Sequence, residues 1–218
     1  MPAVAATPVV VELRSRDADR TRQVILRAAM AEFSERGLGG ARMDSIAERA
    51  SINKRLIYYY FGNKEALFLA ALETTYADIR EAERALRLEA FEPADALRKL
   101  VAFTWKHYLA HPEFLTLLNS ENLHRARHLK QSKRIREMNS PLVQMLADVL
   151  ERGRQGGVFR GGVDPVQLYI SIAGLAYFYL SNNPTLSTIF GRDLMSQKAL
   201  SERLSHITEV VMGYLLRN

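Results

Sequence analysis

The chain has 218 residues, of which 48% are hydrophobic, and its formal net charge is +6. A chain of this size and composition can bury a substantial core, which argues against an intrinsically disordered protein. The lack of cysteine excludes a disulfide framework and a thiolate metal site, and the positive charge favours a polyanionic partner such as nucleic acid.

The apolar segments are too short to cross a membrane. The longest candidate, residues 170–180, includes a serine and a glycine and falls short of the roughly 18 apolar residues that a span needs. The first residues, MPAVAATPVVVELRSR, lack the basic start, long apolar block and cleavage site of a secretory signal. We therefore expect a soluble, cytoplasmic protein.

Apolar residues recur at helical spacing along almost the whole chain, and alternating strand patterns are nearly lacking, so the sequence predicts an all-α fold. Residues 1–16 are expected to form a flexible arm. The first helix should begin near Asp17 or Asp19, whose carboxylates suit a helix N-terminus, and should end at Gly37. Its buried stripe is expected to consist of Ile25, Ala28, Ala29 and Phe33.

Two short helices follow, over residues 42–50 and 53–60. Asn53 is placed to cap the second of them, and Gly62 is placed to end it. Two helices of about eight residues joined by a tight connection form a helix-turn-helix, whose second helix enters the major groove of DNA. The inward residues of the first short helix are expected to be Met43, Ile46 and Ala47.

The second short helix lies within NKRLIYYYFGNKEALF, residues 53–68, which holds three consecutive tyrosines. A tyrosine at a DNA surface offers a flat ring for a sugar or a thymine methyl group and a hydroxyl for a phosphate. Helical periodicity predicts that four residues of this helix face the core: Leu56, Ile57, Tyr60 and Phe61. The outward residues are Lys54, Arg55, Tyr58 and Tyr59. The alternative is that the aromatic run belongs to the core and that the two basic residues are merely solvated.

The next helix is expected to run from Lys64 to about Leu88, with Asn63 as its cap. Because backbone N–H groups at the start of a helix attract phosphate, Lys64 is a further candidate for a DNA contact. Residues 17–80 are therefore expected to form one helix-turn-helix DNA-binding domain.

Three segments in this order resemble the N-terminal domain of the TetR family of transcriptional regulators: RQVILRAAMAEFSERG, MDSIAERASI and LIYYYFGNKEALF. The resemblance extends over residues 20–68. Its most specific element is a tyrosine, any residue, a tyrosine and a phenylalanine, followed by a lysine and an acidic residue that open the next helix. These positions are filled by Tyr58, Tyr60, Phe61, Lys64 and Glu65.

The resemblance implies roles for individual side chains. Tyr58 and Lys64 stand where family members contact the DNA backbone, and Tyr59 lies on the exposed side between the two motif tyrosines. Arg42 stands where members often carry Thr or Ser for a phosphate, and we expect Arg42 to donate to the phosphate instead. Two further departures from the common pattern alter residues near the bases, at Arg55 and Leu56.

Residues 81–218 are expected to form the larger helical domain that in this family dimerises and binds a small molecule. Proline and capping signals predict helices over residues 93–111, from Pro112 onward, over 165–182 and over 201–216. Asp164 is expected to cap the third of these, with Pro165 at its first helical position. The segment IAGLAYFYL is apolar on every side, which predicts burial against a second subunit. The last helix bears an apolar stripe that could join the same interface or pack within its own chain.

Aromatic walls with a few polar groups characterise small-molecule pockets. This part of the chain offers such residues, although core packing is the alternative explanation for most of them. The candidates are Trp105, Tyr108, Phe114, Asn119, Asn122, Tyr169 and Tyr177. We expect a small planar aromatic or heterocyclic effector, with a carboxylate as one option, and no cofactor.

Two other functions stay open. The pairs His107/His111 and His124/His128 are each spaced to place two imidazoles on one helix face, as in a metal-dependent enzyme, with Glu121 as a further ligand or base. Neither pair forms HExxH, however, and no nucleophile elbow, Walker loop or dinucleotide-binding glycine motif occurs. An architectural DNA-binding protein without an effector is the other alternative. We expect instead a homodimeric repressor, not an enzyme, that leaves an inverted-repeat operator when its effector binds.

Overall fold

The computed structural model describes the backbone of residues 8–216 and the side chains of residues 17–138 and 141–216. Within these residues every regular element is helical, as predicted, and none is long and apolar enough to span a membrane. The α-helices are α1 (Pro8–Gly40), α2 (Met43–Ala50), α3 (Lys54–Phe61), α4 (Lys64–Arg84), α5 (Pro93–Ala110), α6 (Pro112–Leu123), α7 (Lys133–Gln155), α8 (Pro165–Ser181), α9 (Asn183–Phe190) and α10 (Gln197–Leu215). Short 3-10 turns cover Leu88–Ala90 and Leu129–Gln131.

The chain divides into two compact units. The N-terminal unit comprises the residues up to Leu72 together with Thr116–Leu129, and the C-terminal unit comprises Glu73–Leu115 and the residues from Lys130 onward. Helices α4 and α6 therefore contribute residues to both units. The boundary near residue 80 between a DNA-binding domain and a regulatory domain is not tested by this division and stays a prediction. The flexibility of the arm of residues 1–16 also stays a prediction: its residues 8–16 lie in α1, and residues 1–7 lie outside the described part of the chain.

Helix α1 begins at Pro8, so the predicted start near Asp17 or Asp19 is wrong. Residues 8–16 contain no glycine to break a helix, and Pro8 suits the first helical position. The helix therefore begins before Asp17 and Asp19, the acidic residues from which its start was predicted. Gly37 has a left-handed φ of 63° and interrupts the helical backbone at the predicted position. A glycine adopts this φ without the steric cost that a side chain would add.

The core of the N-terminal unit is built on α1. The predicted stripe of Ile25, Ala28, Ala29 and Phe33 is buried, which confirms that prediction. The Phe33 ring meets the Phe68 ring of α4 edge-on, with 5.1 Å between centroids. Leu117 of α6 belongs to the same core, so the segment Thr116–Leu129 packs with the helix-turn-helix rather than with its neighbours in sequence.

Glu121 closes the loop that follows α6. Its buried carboxylate accepts hydrogen bonds from the backbone N–H groups of His128, at 2.8 Å, and Leu129, at 2.9 Å. The second carboxylate oxygen lies 2.6 Å from Nδ1 of the His128 ring, which is also buried. Arg125 and Ala126 reverse the chain between these residues with φ values of 55° and 57°. The carboxylate thus satisfies three polar groups that would otherwise be buried without partners.

The C-terminal unit is organised around α5, which packs against α7, α8 and α10. Asp164 caps α8 by accepting hydrogen bonds from the backbone N–H groups of Val166 and Gln167, as predicted from the Asp-Pro pair. Gly153 lies in the last turn of α7, and the Phe159 ring lies so close to it that a Cβ would be 2.0 Å from a ring carbon. The large buried side chains of this core include Leu97, Leu100, Phe159, Ile172, Ile207 and Leu215.

Helix α4 ends at Arg84, four residues before the predicted end near Leu88. Arg87 adopts a left-handed φ of 51°, and a 3-10 turn follows that buries Leu88 completely. The apolar pattern continued to Leu88 because this residue is a core residue, although it belongs to a different element. The apolar stripe predicted on the last helix, α10, is only partly buried. Its residues Ile207 and Val211 are buried, but Val210 is exposed.

Candidate nucleic-acid interface and ligand-binding residues

Helices α2 and α3 form the predicted helix-turn-helix. Ser51 ends α2 with a left-handed φ of 53°, and its N–H donates to the carbonyl of Glu48. Asn53 caps α3, because its side-chain oxygen accepts the backbone N–H of Arg55 at 2.9 Å. Gly62, with a φ of 78°, ends α3, and Asn63 caps α4 through the N–H of Ala66. The caps or ends at Asn53, Gly62 and Asn63 were expected from sequence, whereas the left-handed end at Ser51 was not.

The exposed face of α3 carries the basic and aromatic residues. Tyr59 is 81% exposed and Tyr58 44% exposed, and Arg55 is also exposed. Ile57 and Phe61, four residues apart, are the side chains that α3 buries. The prediction that Leu56 faces the core is wrong, because this residue is 40% exposed. An eight-residue helix buries only a narrow stripe, and Leu56 lies beside that stripe rather than within it.

The cationic candidates differ in their present partners. The Lys54 amine lies 2.8 Å from the Asp44 carboxylate in an exposed ion pair. Such pairs contribute little to stability and are screened by salt, so Lys54 can change partners. The Lys64 amine donates to the carbonyl of Ala41 at 3.3 Å, which places it beside the start of α2. Arg42 is the N-cap residue of α2, and its side chain is exposed and makes no cap hydrogen bond.

Glu32 fixes α2 on α1 and was not identified from the sequence. Its side chain is buried, and its carboxylate accepts the backbone N–H of Arg42 at 3.2 Å and the Arg49 Nε–H at 3.1 Å. Arg36 lies 3.4 Å from the same carboxylate. Because the partners follow 4 to 17 residues later, no local pattern marks this acid as different from the exposed Glu35.

Three of the predicted ligand-binding residues come together in the C-terminal unit. The Tyr108 ring stacks on the Phe114 ring with 5.6 Å between centroids, and Tyr108 and Tyr169 are near enough to interact electrostatically. The Tyr169 hydroxyl also accepts a hydrogen bond from Arg80 at 2.7 Å. Arg80 in turn forms a buried ion pair with Glu83, at 2.5 Å. We call Arg80, Glu83, Tyr108 and Tyr169 the polar cluster.

Burial governs the titration of this cluster. It raises the pKa of Glu83 to about 7, even though the neighbouring Arg80 opposes the shift. Burial also raises the pKa values of the Tyr108 and Tyr169 hydroxyls, which therefore stay protonated and able to donate. Sequence offered no signal for Arg80 and Glu83, because an arginine and a glutamate three residues apart on a helix usually form a surface pair.

The other four candidates are not part of this group of contacts. Trp105 is buried and meets the Tyr179 ring edge-on at 5.7 Å, and Tyr177 is half-buried on α8. Asn119 and Asn122 belong to the N-terminal unit, and Asn122 is exposed. Their assignment to the ligand site stays a prediction.

The two histidine pairs have different surroundings. The His107 and His111 rings lie 4.4 Å apart, and burial, followed by the charge of His111, lowers the pKa of His107 to about 4. The rings of His124 and His128 lie 5.8 Å apart, and Glu121 is bonded to His128. Across residues 17–138 and 141–216, no three histidine or acidic side chains are grouped so that they could hold a metal ion.

Two family models match the chain. The model described as "Bacterial regulatory proteins, tetR family" matches residues 25–71, and the model described as "Tetracyclin repressor-like, C-terminal domain" matches residues 93–211. The HTH-type transcriptional repressor NicS of Pseudomonas putida is 42% identical over 205 residues, covering 94% of this chain and 97% of NicS. The regulator RutR of Escherichia coli K12 is 27% identical, over 91% of this chain and 92% of its own length.

Solved structures share the fold. A protein of Streptomyces coelicolor described as a transcriptional regulator superposes with a TM-score of 0.70 at 25% identity, covering 91% of this chain and 99% of its own. The regulator FadR of Bacillus subtilis, solved with stearoyl-CoA, has a TM-score of 0.64 at 16% identity, covering 88% and 98% of the two chains. With a matching helix-turn-helix, a matching C-terminal domain and a relative similar over nearly its full length, this chain belongs to the TetR family of bacterial transcriptional regulators.

Proposed function

We propose that the protein is a sequence-specific DNA-binding repressor that a small-molecule effector releases from its operator. Membership of the TetR family supports the regulator, and the name of its relative NicS supports repression. The observation that carries the proposal is the exposed face of α3, where Arg55, Tyr58 and Tyr59 project from a helix that is capped at both ends.

The residues of the predicted DNA interface divide by the part of DNA that they can reach. Tyr58 and Lys64 would bind phosphate oxygens, and Arg42 would add a contact to the DNA backbone at the start of α2. Arg55, at the N-terminal end of α3, is placed for base edges, because the first residues of a recognition helix make these contacts. The remaining members of the predicted interface are Lys54 and Tyr59.

Apolar side chains on α8 and α10 support a homodimer. Ile170 and Phe178 of α8 are 55% and 58% exposed, and Val210 and Tyr214 of α10 are 43% and 48% exposed. A surface of this kind favours association, and a second copy of the chain would cover it by a two-fold axis. Two recognition helices related in this way read an inverted repeat whose half-site centres are about 34 to 36 Å apart.

The effector would bind in the C-terminal unit, next to the aromatic residues Tyr108, Phe114 and Tyr169. Stacked rings favour a planar aromatic or heterocyclic compound. Helix α4 carries Lys64 at its first turn and Arg80 and Glu83 near its last, so a shift at the effector end can reorient the DNA-contacting end as a rigid element. A hundredfold loss of operator affinity then requires about 2.7 kcal/mol of coupling.

Because operator DNA is the partner, the protein would act in the cytoplasm.

Selection of bound fragments from the host's genomic DNA tests the proposal. We expect enrichment of fragments that contain one inverted repeat, and we expect Lys64→Ala to weaken binding to every fragment and to lower the salt dependence by about one counterion. Arg55→Ala should also relax the preference at particular base pairs. Lys106→Ala, a matched control that removes an exposed charge from α5, should leave binding unchanged. If neither Arg55→Ala nor Lys64→Ala changes affinity, the assignment of the DNA interface is wrong.

A further inference from the structure

A cavity of about 560 Å³ lies between the end of α8, the turn of residues 191–196 and the first half of α10. Its volume is in the range of small-molecule sites. The residues proposed above to lie next to the effector, Tyr108, Phe114 and Tyr169, do not line it. The cavity is therefore a second candidate site within the C-terminal unit.

Arg203 of α10 forms part of the cavity wall. Its guanidinium lies over the Tyr179 ring of α8, 5.1 Å from the ring centroid, and its Nη2 donates a hydrogen bond to the carbonyl of Leu175 at 2.7 Å. Tyr179 is held in turn, because its hydroxyl donates to the carbonyl of Leu194 at 2.8 Å. These contacts with α8 fix the guanidinium in the wall.

The charge of Arg203 lacks a counter-ion. None of the residues that the structure describes forms an ion pair with it, and its Nε–H is buried without a hydrogen-bond partner. Burial lowers the pKa of the guanidinium, because the charged form is poorly solvated there. Nη1 makes no hydrogen bond to the described residues and is not buried, so a ligand in the cavity can reach it. An anion beside this cation would stabilise it.

The two acidic residues of the cavity do not neutralise it. The Glu202 side chain is 67% exposed and lies 3.8 Å from Lys198, and Asp193 is exposed. The lining has three basic residues, Arg192, Lys198 and Arg203, against these two acids, which leaves a net charge of +1 with its histidine counted as neutral. The cavity therefore favours an anion over a cation.

Helix α10 begins at the cavity. Ser196 caps the helix by accepting the backbone N–H of Ala199, and both residues line the cavity. The first turn of a helix carries a positive partial charge, which adds to the attraction of an anion. Leu194 and Ala199 are half-buried and give the cavity an apolar part.

We propose that this cavity binds a small organic carboxylate. A carboxylate oxygen accepts a hydrogen bond from Nη1 of Arg203, and the apolar body of the ligand lies against Leu194 and Ala199. An amine would instead place a second cation beside Arg203, and a neutral amide would leave the guanidinium without a counter-ion. This inference goes beyond the proposed function and does not depend on it.

Calorimetry on the full-length protein with three probes tests the proposal. Benzoate offers a carboxylate on a ring, benzamide is its neutral counterpart of nearly the same shape, and inorganic phosphate is an anion without an apolar body. We expect benzoate to bind at least about tenfold more tightly than either of the others, because it alone combines the charge with an apolar body. Failure of benzoate to bind, or an affinity for benzamide or phosphate that equals or exceeds that for benzoate, would overturn the proposal.

Two arginine variants assign the effect to the cavity wall. Arg203→Gln removes the charge and should abolish the preference for benzoate over benzamide. Arg160→Gln is the matched control, because Arg160 also lies over a tyrosine ring, that of Tyr214 at 4.9 Å, but does not line this cavity. It should keep the preference. If the preference survives in Arg203→Gln, benzoate binds elsewhere and the assignment is wrong.

A second pair of variants decides the question if Arg203→Gln melts well below the wild type. Ala199→Glu adds a negative charge to the cavity at the third position of α10, where a glutamate is favourable after an N-cap serine. It should weaken benzoate binding at least about tenfold. Ala199→Gln adds a side chain of the same size without the charge and should keep the preference for benzoate over benzamide. An unchanged benzoate affinity in Ala199→Glu would contradict the proposal.

None of these measurements requires operator DNA. A protein that binds its operator but shows no preference for benzoate loses only the carboxylate site. A protein that prefers benzoate but binds no DNA sequence specifically keeps this site and loses the proposed function.

Discussion

Removal of the Glu32 carboxylate should loosen the helix-turn-helix. Glu32 is fully buried and joins α1 to α2 through the backbone N–H of Arg42 and the side chain of Arg49. Arg49 is 35% exposed and can be rehydrated when its partner is lost, so the main cost comes from the hydrogen bond between the Arg42 N–H and a charged acceptor. Such a bond contributes about 1.5 to 3 kcal/mol.

We therefore expect Glu32→Ala to lower the melting temperature by roughly 3 to 12 °C, using 2 to 4 °C per kcal/mol for a chain of this length. Glu32→Gln keeps a neutral acceptor for the Arg42 N–H and should cost less than the alanine variant. Thermal unfolding followed by circular dichroism measures both. Operator affinity should also fall, because Arg42 and the start of α2 are held by this carboxylate.

Glu35→Ala provides the control for this prediction. Glu35 also bonds Arg49, but its side chain is 53% exposed, so its removal should change the melting temperature little. Equal destabilisation by the Glu32 and Glu35 variants would show that the buried carboxylate is no more important than a surface charge, and the reasoning would be refuted.

Three further outcomes follow from individual side chains. Ile170→Glu places a charge on the exposed apolar face of α8 and should give monomers in light scattering, whereas an unchanged dimer would exclude this face from the interface. Tyr58→Phe removes one hydroxyl and should weaken binding to all operator variants about fivefold, or about 1 kcal/mol, and a loss confined to some sequences would contradict a phosphate contact. Burial lowers the pKa of His107 from 6.5 to about 4, so stability should fall as the pH drops through this range. His107→Gln should flatten that part of the pH–stability curve, and a curve identical to that of the wild type would be inconsistent with the shift.

The sequence predicted the elements whose signals are local. Asn53, Gly62 and Asp164 cap or end their helices by contacts within a few residues, and these contacts were inferred correctly. The start of α1 was not, because an acidic residue is favourable at a helix N-terminus without requiring the helix to begin there. Leu56 was misplaced for a similar reason, since helical periodicity does not define the width of the buried stripe.

The parts of the candidate sites that were missed depend on residues distant in sequence. Glu32 resembles any surface glutamate until α2 folds back on α1, and Arg80 becomes buried only when α8 brings Tyr169 to it. Glu121, which appeared to be a possible metal ligand, instead accepts the N–H groups of His128 and Leu129. In each case the chemistry of the side chain was visible in the sequence, but its partner was not.

The central claim is that a symmetric dimer reads DNA through α3. It is tested most directly by titrating the full-length protein against a selected inverted repeat and against the same DNA with one half-site scrambled, over a series of salt concentrations. The claim predicts tight binding to the intact repeat, weaker binding to the scrambled DNA, and an affinity that falls steeply with salt. Equal affinity for the two DNA molecules at every salt concentration would contradict it.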